Sequence, residues 1–130
     1  MQVNILSRYG IKNYAVAGRD YLFANGNTRD FRYENLVIIN RYHGVCQKTK
    51  QGHIYYETKI HWNGDFLVGR YENEIEAAIA YNKAASTLLR KGYLKDYPVN
   101  YIEELSDSEY RSRYQVVDIS DKIKVLKSLL

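Results

Sequence analysis

A chain of 130 residues with 19 Lys+Arg against 15 Asp+Glu carries a formal net charge of +4, which permits a nucleic-acid partner without requiring one. With 45% hydrophobic and 26% charged residues it holds one modest core, as a single ordinary domain or two very small ones, and is too apolar for disorder. The single cysteine, Cys46, excludes an internal disulfide and a Cys-rich zinc site, and no stretch approaches the roughly 20 apolar residues that span a bilayer; a reducing, cytoplasmic setting without membrane contact is expected.

Met1 to Ile11 has no uninterrupted apolar run of the kind a signal peptide needs. Tyr14–Ala17, Tyr21–Ala24 and Val37–Ile39 are short apolar runs separated by Gly18-Arg19-Asp20 and by Asn25-Gly26-Asn27. The Asn-Gly-Asn stretch suits a tight turn, because Gly and Asn tolerate positive φ. Asp30 and Arg32 are placed to tie the loop down and Asn35 to brace the next segment, although all of them also read as ordinary turn and surface groups. The excess of tyrosine, 14 against one tryptophan and three phenylalanines, supplies rings suited to contacts, but an AT-rich coding sequence explains it as well, so it does not decide the function.

Leu22 to Leu36 runs in register with D-H-x-N-G-N-x-x-D-N-R-x-x-N-L at Asn25, Gly26, Asn27, Asp30, Arg32, Asn35 and Leu36, and so resembles the heart of HNH endonucleases. The resemblance implies a small ββα unit in which a histidine activates water and an aspartate helps hold a divalent metal. Phe23 and Leu22 stand in those two places, and neither accepts a proton nor binds a cation. The three histidines lie further along and lack metal-site spacing. No catalytic residue, metal or cofactor is therefore expected, and residues 1–40 read as a degenerate nuclease remnant.

From Tyr42 to Tyr71 three strand-like segments are punctuated by Gly52 and by Asn63-Gly64, a strong hairpin signal. An Ala-rich helix follows. Asn73 is its N-cap, Glu74 and Glu76 complement the positive end of its dipole, and Gly92 stops it. Ile75, Ala78, Ile79, Asn82, Ala85, Leu88 and Leu89 recur at helical spacing, and Lys83, Arg90 and Lys91 read as a solvated face. A three-stranded meander packs one face on such a helix and leaves the other open. If Val45, Tyr56, Thr58 and Val68 point to the helix, alternation sends Lys48, Tyr55, Glu57, Lys59 and Leu67 the other way or to the strand edges. Trp62, beside the Asn-Gly turn, touches either a partner or the edge of the core.

Tyr42-His43-Gly44-Val45, Glu57 with Lys59, Val68-Gly69-Arg70-Tyr71, Glu76 to Tyr81, Ala84-Ala85 and Asn100-Tyr101 follow Y-R-G-V, E-I-R, L-G-x-F, E-E-A-A-x-A-Y, A-A and L-N-F in order. Residues 42–101 thereby resemble apetala-two-like, or ethylene-response-factor, DNA-binding domains. Phage and bacterial homing endonucleases of that kind commonly place an HNH segment ahead of such a domain, so the two resemblances support each other. They imply a sheet laid in the DNA major groove, with His43, Lys48, Lys50, His53, Tyr55, Lys59, His61 and Arg70 as the binding set. His43 and Cys46 replace two arginines of the pattern, and Lys holds a phosphate without Arg's planar fork for guanine. Phosphate binding is carried over better than base readout.

Pro98 pushes Tyr97 into extended geometry. Ser106-Asp107-Ser108-Glu109 is a capping box that predicts a helix from about Asp107 to Tyr114, to which Arg111 and Arg113 add positive charge. Between Asp118 and Leu130, helical spacing puts Ile119, Ile123, Leu126, Leu129 and Leu130 on one stripe, which must be buried on the chain's own core or in a homodimer. The expected fold is α+β: a degenerate HNH-like ββα segment (1–40), a three-stranded antiparallel sheet packed on one long helix (41–102) and a C-terminal helical extension (103–130). The expected function is a non-catalytic DNA-binding protein of phage or mobile-element origin that sets its sheet against duplex DNA. The alternative is an anti-CRISPR-type inhibitor that binds a host defence nuclease, such as a Cas effector, or blocks its nucleic-acid site. The absence of arginine at His43 and Cys46 leans that way.

Overall fold

Two antiparallel sheets and one long helix make this an α+β chain, described over residues 15–130 in a computed structural model. Met1 to Ile11, read above for a signal peptide, and Tyr14 of the first apolar run lie outside the described residues. The chain divides into two compact units, Met1–His43 and Gly44–Leu130, so the C-terminal extension packs within the second unit and does not stand apart as a third segment.

In the first unit β1 (Tyr21–Phe23) pairs antiparallel with β2 (Leu36–Ile38), Tyr21 opposite Ile38 and Phe23 opposite Leu36. Alternation puts Tyr21 and Phe23 on the inner face, where Tyr21 is buried among Ala15, Phe23, Phe31, Leu36 and Ile38. A 3-10 turn at Tyr33–Asn35 leads into β2. The helix of the expected ββα arrangement is missing among the described residues. After β2 the amides of Ile39 and Asn40 donate to the Asp20 carbonyl at 2.8 and 3.0 Å, and the next strand begins at Val45, which leaves no room for a helix. Asp20 is itself fully buried, with its carboxylate accepting from the Val16 amide at 2.8 Å and from Arg19 at 3.0 Å.

The second unit carries a sheet of order β3 (Val45–Lys50), β4 (His53–His61) and β5 (Asp65–Tyr71). Gln51 and Gly52 between β3 and β4 both have positive φ, 51° and 80°, the handedness that matches strand twist in a two-residue hairpin. Helix α1 (Glu74–Arg90) begins at its expected cap, where Asn73 Oδ1 accepts from the amides of Ile75 at 2.7 Å and Glu76 at 3.2 Å. Alanines 77, 78, 80 and 84 are fully buried and let the helix backbone come close to the sheet, so that Thr58 Oγ1 donates to the Ala77 carbonyl at 2.9 Å. Val45, Ile60, Val68, Ile79 and Leu88 fill the core between them.

Burial on α1 is wider than the single expected stripe. Leu89 is largely exposed, whereas Ala77, Ala80, Tyr81 and Ala84 are buried. The reason is a second packing partner. Asn82 Nδ2 donates to the Asn100 carbonyl at 2.8 Å and to Tyr110 Oη at 2.9 Å, while the Asn100 amide donates to Asn82 Oδ1 at 2.8 Å, which pins the extended segment around Pro98 along the helix. Lys83, expected on a solvated face, donates instead to the carbonyls of Tyr114 and Val117 at 3.0 and 2.8 Å and holds the end of α2 (Asp107–Val116). The capping box of α2 is present in full, from Glu109 N to Ser106 Oγ at 3.2 Å and from Ser106 N to Glu109 Oε1 at 3.0 Å.

The last segment departs from expectation. Only Asp121–Lys124 (α3) is helical, and of the five-residue stripe Ile119 and Ile123 are buried while Leu129 and Leu130 are exposed. Tertiary acceptors and donors outcompete the helix: the Lys124 and Leu126 carbonyls accept from Lys91 Nζ, the Lys127 carbonyl accepts from Tyr93 Oη at 2.7 Å, and the Leu129 amide donates to the Lys91 carbonyl at 2.6 Å. The buried part of the stripe packs on the chain's own core, the first of the two destinations considered for it. Between α2 and α3 the chain runs beside β5, with the Ser120 amide donating to the Val68 carbonyl at 2.8 Å and Tyr71 Oη to the Asp118 carbonyl at 2.5 Å. Burial first, then the Asp118 and Glu76 carboxylates, push the Tyr71 hydroxyl up to about 12.

Candidate nucleic-acid interface

The candidate surface is built by register. Residues directly opposite each other on paired strands share a face, so Cys46, Glu57 and Arg70 form one row across the sheet, Lys48 and Tyr55 a second, and Lys50 and His53 a third. Thr58 faces Gly69 while Lys59 faces Leu67, which leaves Val68 as the extra residue of a bulge in β5. Beyond it Lys59 with Leu67 and His61 with Asp65 continue the same outer face, whereas Ile60 and Val68 turn into the core. Seven of the eight expected binding residues therefore share one side of the sheet, opposite the helix. His43 is half-buried in a turn and belongs to the first unit. Trp62 packs edge-on against Tyr93, 5.1 Å between ring centroids, and so serves the edge of the core.

Charge on this face is more balanced than the cations alone indicate. Arg70 Nε donates to Glu57 Oε2 at 3.2 Å and Lys59 Nζ lies 3.6 Å from Glu57 Oε1. His53 Nε2 meets Glu72 at 2.8 Å and His61 Nδ1 meets Asp65 at 3.1 Å. Lys48 and Lys50, by contrast, make no ion pair among the described residues. The surface is thus a cationic strand, β3, without ion pairs among the described residues, beside a middle strand whose Glu57 is shared by Lys59 and Arg70. Glu57, Asp65 and Glu72 are absent from a residue set chosen for phosphate alone, although period-two spacing from Tyr55 already places Glu57 on this face.

The segment from Leu22 to Leu36 is held by the polar residues singled out in its sequence. Asn35 Nδ2 donates to Asn25 Oδ1 at 3.1 Å and to the Asp30 carbonyl at 3.0 Å, the Asn25 amide donates to Asn35 Oδ1 at 3.1 Å, and Arg32 Nη2 donates to Asp30 Oδ2 at 2.7 Å. The Arg32 guanidinium holds the Asp30 carboxyl down at about 2. Phe23, where the nuclease pattern has histidine, packs its ring on Phe31 at 5.1 Å and on Tyr21 at 5.6 Å. Leu22, where it has aspartate, points outward opposite Val37, the two being 44% and 49% exposed, so no polar group there faces a metal. Phe23→His is expected to lower the stability of this unit by about 2 kcal/mol through the lost ring packing. Faster amide exchange at Ala24 and Ile39, whose amides donate to the Asn35 and Asp20 carbonyls across the pair, would register it, and unchanged protection would show that the ring does not hold the unit together.

No helix among the described residues is long and apolar enough to cross a membrane. No family model, curated protein or solved structure matches the chain.

Proposed function

We propose that the chain is a non-catalytic DNA-binding protein of phage or mobile-element type, which lays the outer face of β3–β5 against duplex DNA in the cytoplasm. The observation that carries this reading is the register: Lys48 and Lys50 on β3, Tyr55, Lys59 and the histidines on β4 and Arg70 on β5 all lie on the side of the sheet away from α1. Cations at strand spacing meet phosphates, and Tyr55 beside Lys48 offers a flat ring with a polar tip. The aromatic packing of Phe23 and the outward Leu22 support a scaffold role for the first unit in place of nuclease chemistry.

The test is binding to a mixed-sequence duplex across a salt series, beside a Lys48→Ala, Lys59→Ala, Arg70→Ala triple variant. Each phosphate neutralised contributes about −0.9 to the slope of log affinity against log salt, so the native chain should show a slope of about −2 to −4 and the variant a shallower one. Absence of binding at low salt would sink this reading. The second reading, a protein-binding inhibitor of a defence nuclease, is favoured by one observation: Glu57, Asp65 and Glu72 share the face with the cations, a mixed-charge surface of the kind protein partners complement.

A further inference from the structure

Glu57 occupies the centre of the middle strand on the outer face, with its side chain only 11% exposed under Lys59 and Arg70, which are 52% and 59% exposed. A carboxylate there opposes a polyanion. Its effect is on the two cations. Each already has an anionic partner within 4 Å, at 3.6 Å for Lys59 and 3.2 Å for Arg70, so a phosphate that approaches either cation also meets the charge of Glu57. Lys48 and Lys50 carry no such partner among the described residues.

We propose that Glu57 is a specificity-determining residue of this face: by offsetting the charge of Lys59 and Arg70 it weakens their hold on the DNA backbone and restrains sequence-independent binding. This rests on the DNA-binding reading above. Unselective affinity then comes mainly from β3, and tight binding requires contacts other than those to phosphate. The arrangement favours discrimination over raw affinity, because phosphate contacts carry no sequence information.

Glu57→Gln removes the charge and keeps the length of the side chain. The salt-series titration on mixed-sequence duplex should then show a slope steeper by about 1 to 2 and an affinity at low salt raised about tenfold or more, as one or two further phosphates are neutralised. A merely structural role would lower the melting temperature and leave the slope where it was. If the glutamine variant does not fold, Glu57→Thr makes the same change of charge with a side chain that strands favour, and it carries the same expectation. Native binding with no steeper slope in the variant, or with weaker variant binding, overturns the role of Glu57 while leaving the DNA reading intact. Failure of both chains to bind at low salt overturns the two together.

Discussion

Gly44→Ala is expected to destabilise the Gly44–Leu130 unit by about 4 kcal/mol, most of what a small domain has. Two costs combine. Gly44 sits at φ +75°, where an alanine is strained by about 1 kcal/mol. An added Cβ would also lie 2.2 Å from Cδ1 of Tyr81 and 2.7 Å from the carbonyl oxygen of Lys59. Tyr81 cannot swing away, because it is buried and packed edge-on near Tyr97 with 6.5 Å between centroids. The Lys59 carbonyl is backbone in the middle strand, next to the amide that donates to the Gly44 carbonyl at 2.9 Å. Overpacking of this kind typically costs 1–3 kcal/mol or more. Urea unfolding should show the midpoint collapse with little change in m; a loss below about 1 kcal/mol would mean that the turn and Tyr81 are not locked together. Gly44 and Tyr81 belong to separate motifs of the sequence, and this contact is a physical reason for both.

Asn82→Leu should cost about 3 kcal/mol even though the volume is nearly conserved, because the loss is of hydrogen bonds and not of packing. The change leaves the buried Asn100 amide without its acceptor and the Asn100 carbonyl without its 2.8 Å donor, and it removes the 2.9 Å bond to Tyr110 Oη. Each hydrogen bond lost from a buried group costs about 1–3 kcal/mol, so the two bonds to Asn100 dominate the sum. Both the segment at Asn100 and helix α2 should loosen, because Asn82 holds each of them to α1. Hydrogen exchange read at Asn100 and along α2 checks this: protection lost at both sites is the expected outcome, and protection kept at α2 would show that Lys83 alone holds that helix.

Strand order, the hairpin turns, the Asn73 cap and the Ser106 capping box were legible in the sequence because each depends on residues within a few positions of one another. The outer face of the sheet was legible too, since period-two alternation is local, and seven of the eight candidate residues share it. The pairing of Glu57 with Arg70 was hidden: the two are 13 positions apart and meet only through the register of β4 on β5.

By itself, the sequence determined the α+β class, the ends of α1, the start of α2 and the side of the sheet on which Lys48, Lys50, Tyr55 and Lys59 lie, all consequences of backbone preference and short-range periodicity. Only the tertiary structure decided which cations are free. Lys83 and Lys91 are taken up by backbone carbonyls of the C-terminal segment, Lys59 and Arg70 by Glu57, and the stripe from Ile119 to Leu130 by contacts that end its helix after one turn. These outcomes rest on partners distant along the chain, and a charge or an apolar side chain carries no local mark of the partner it will meet.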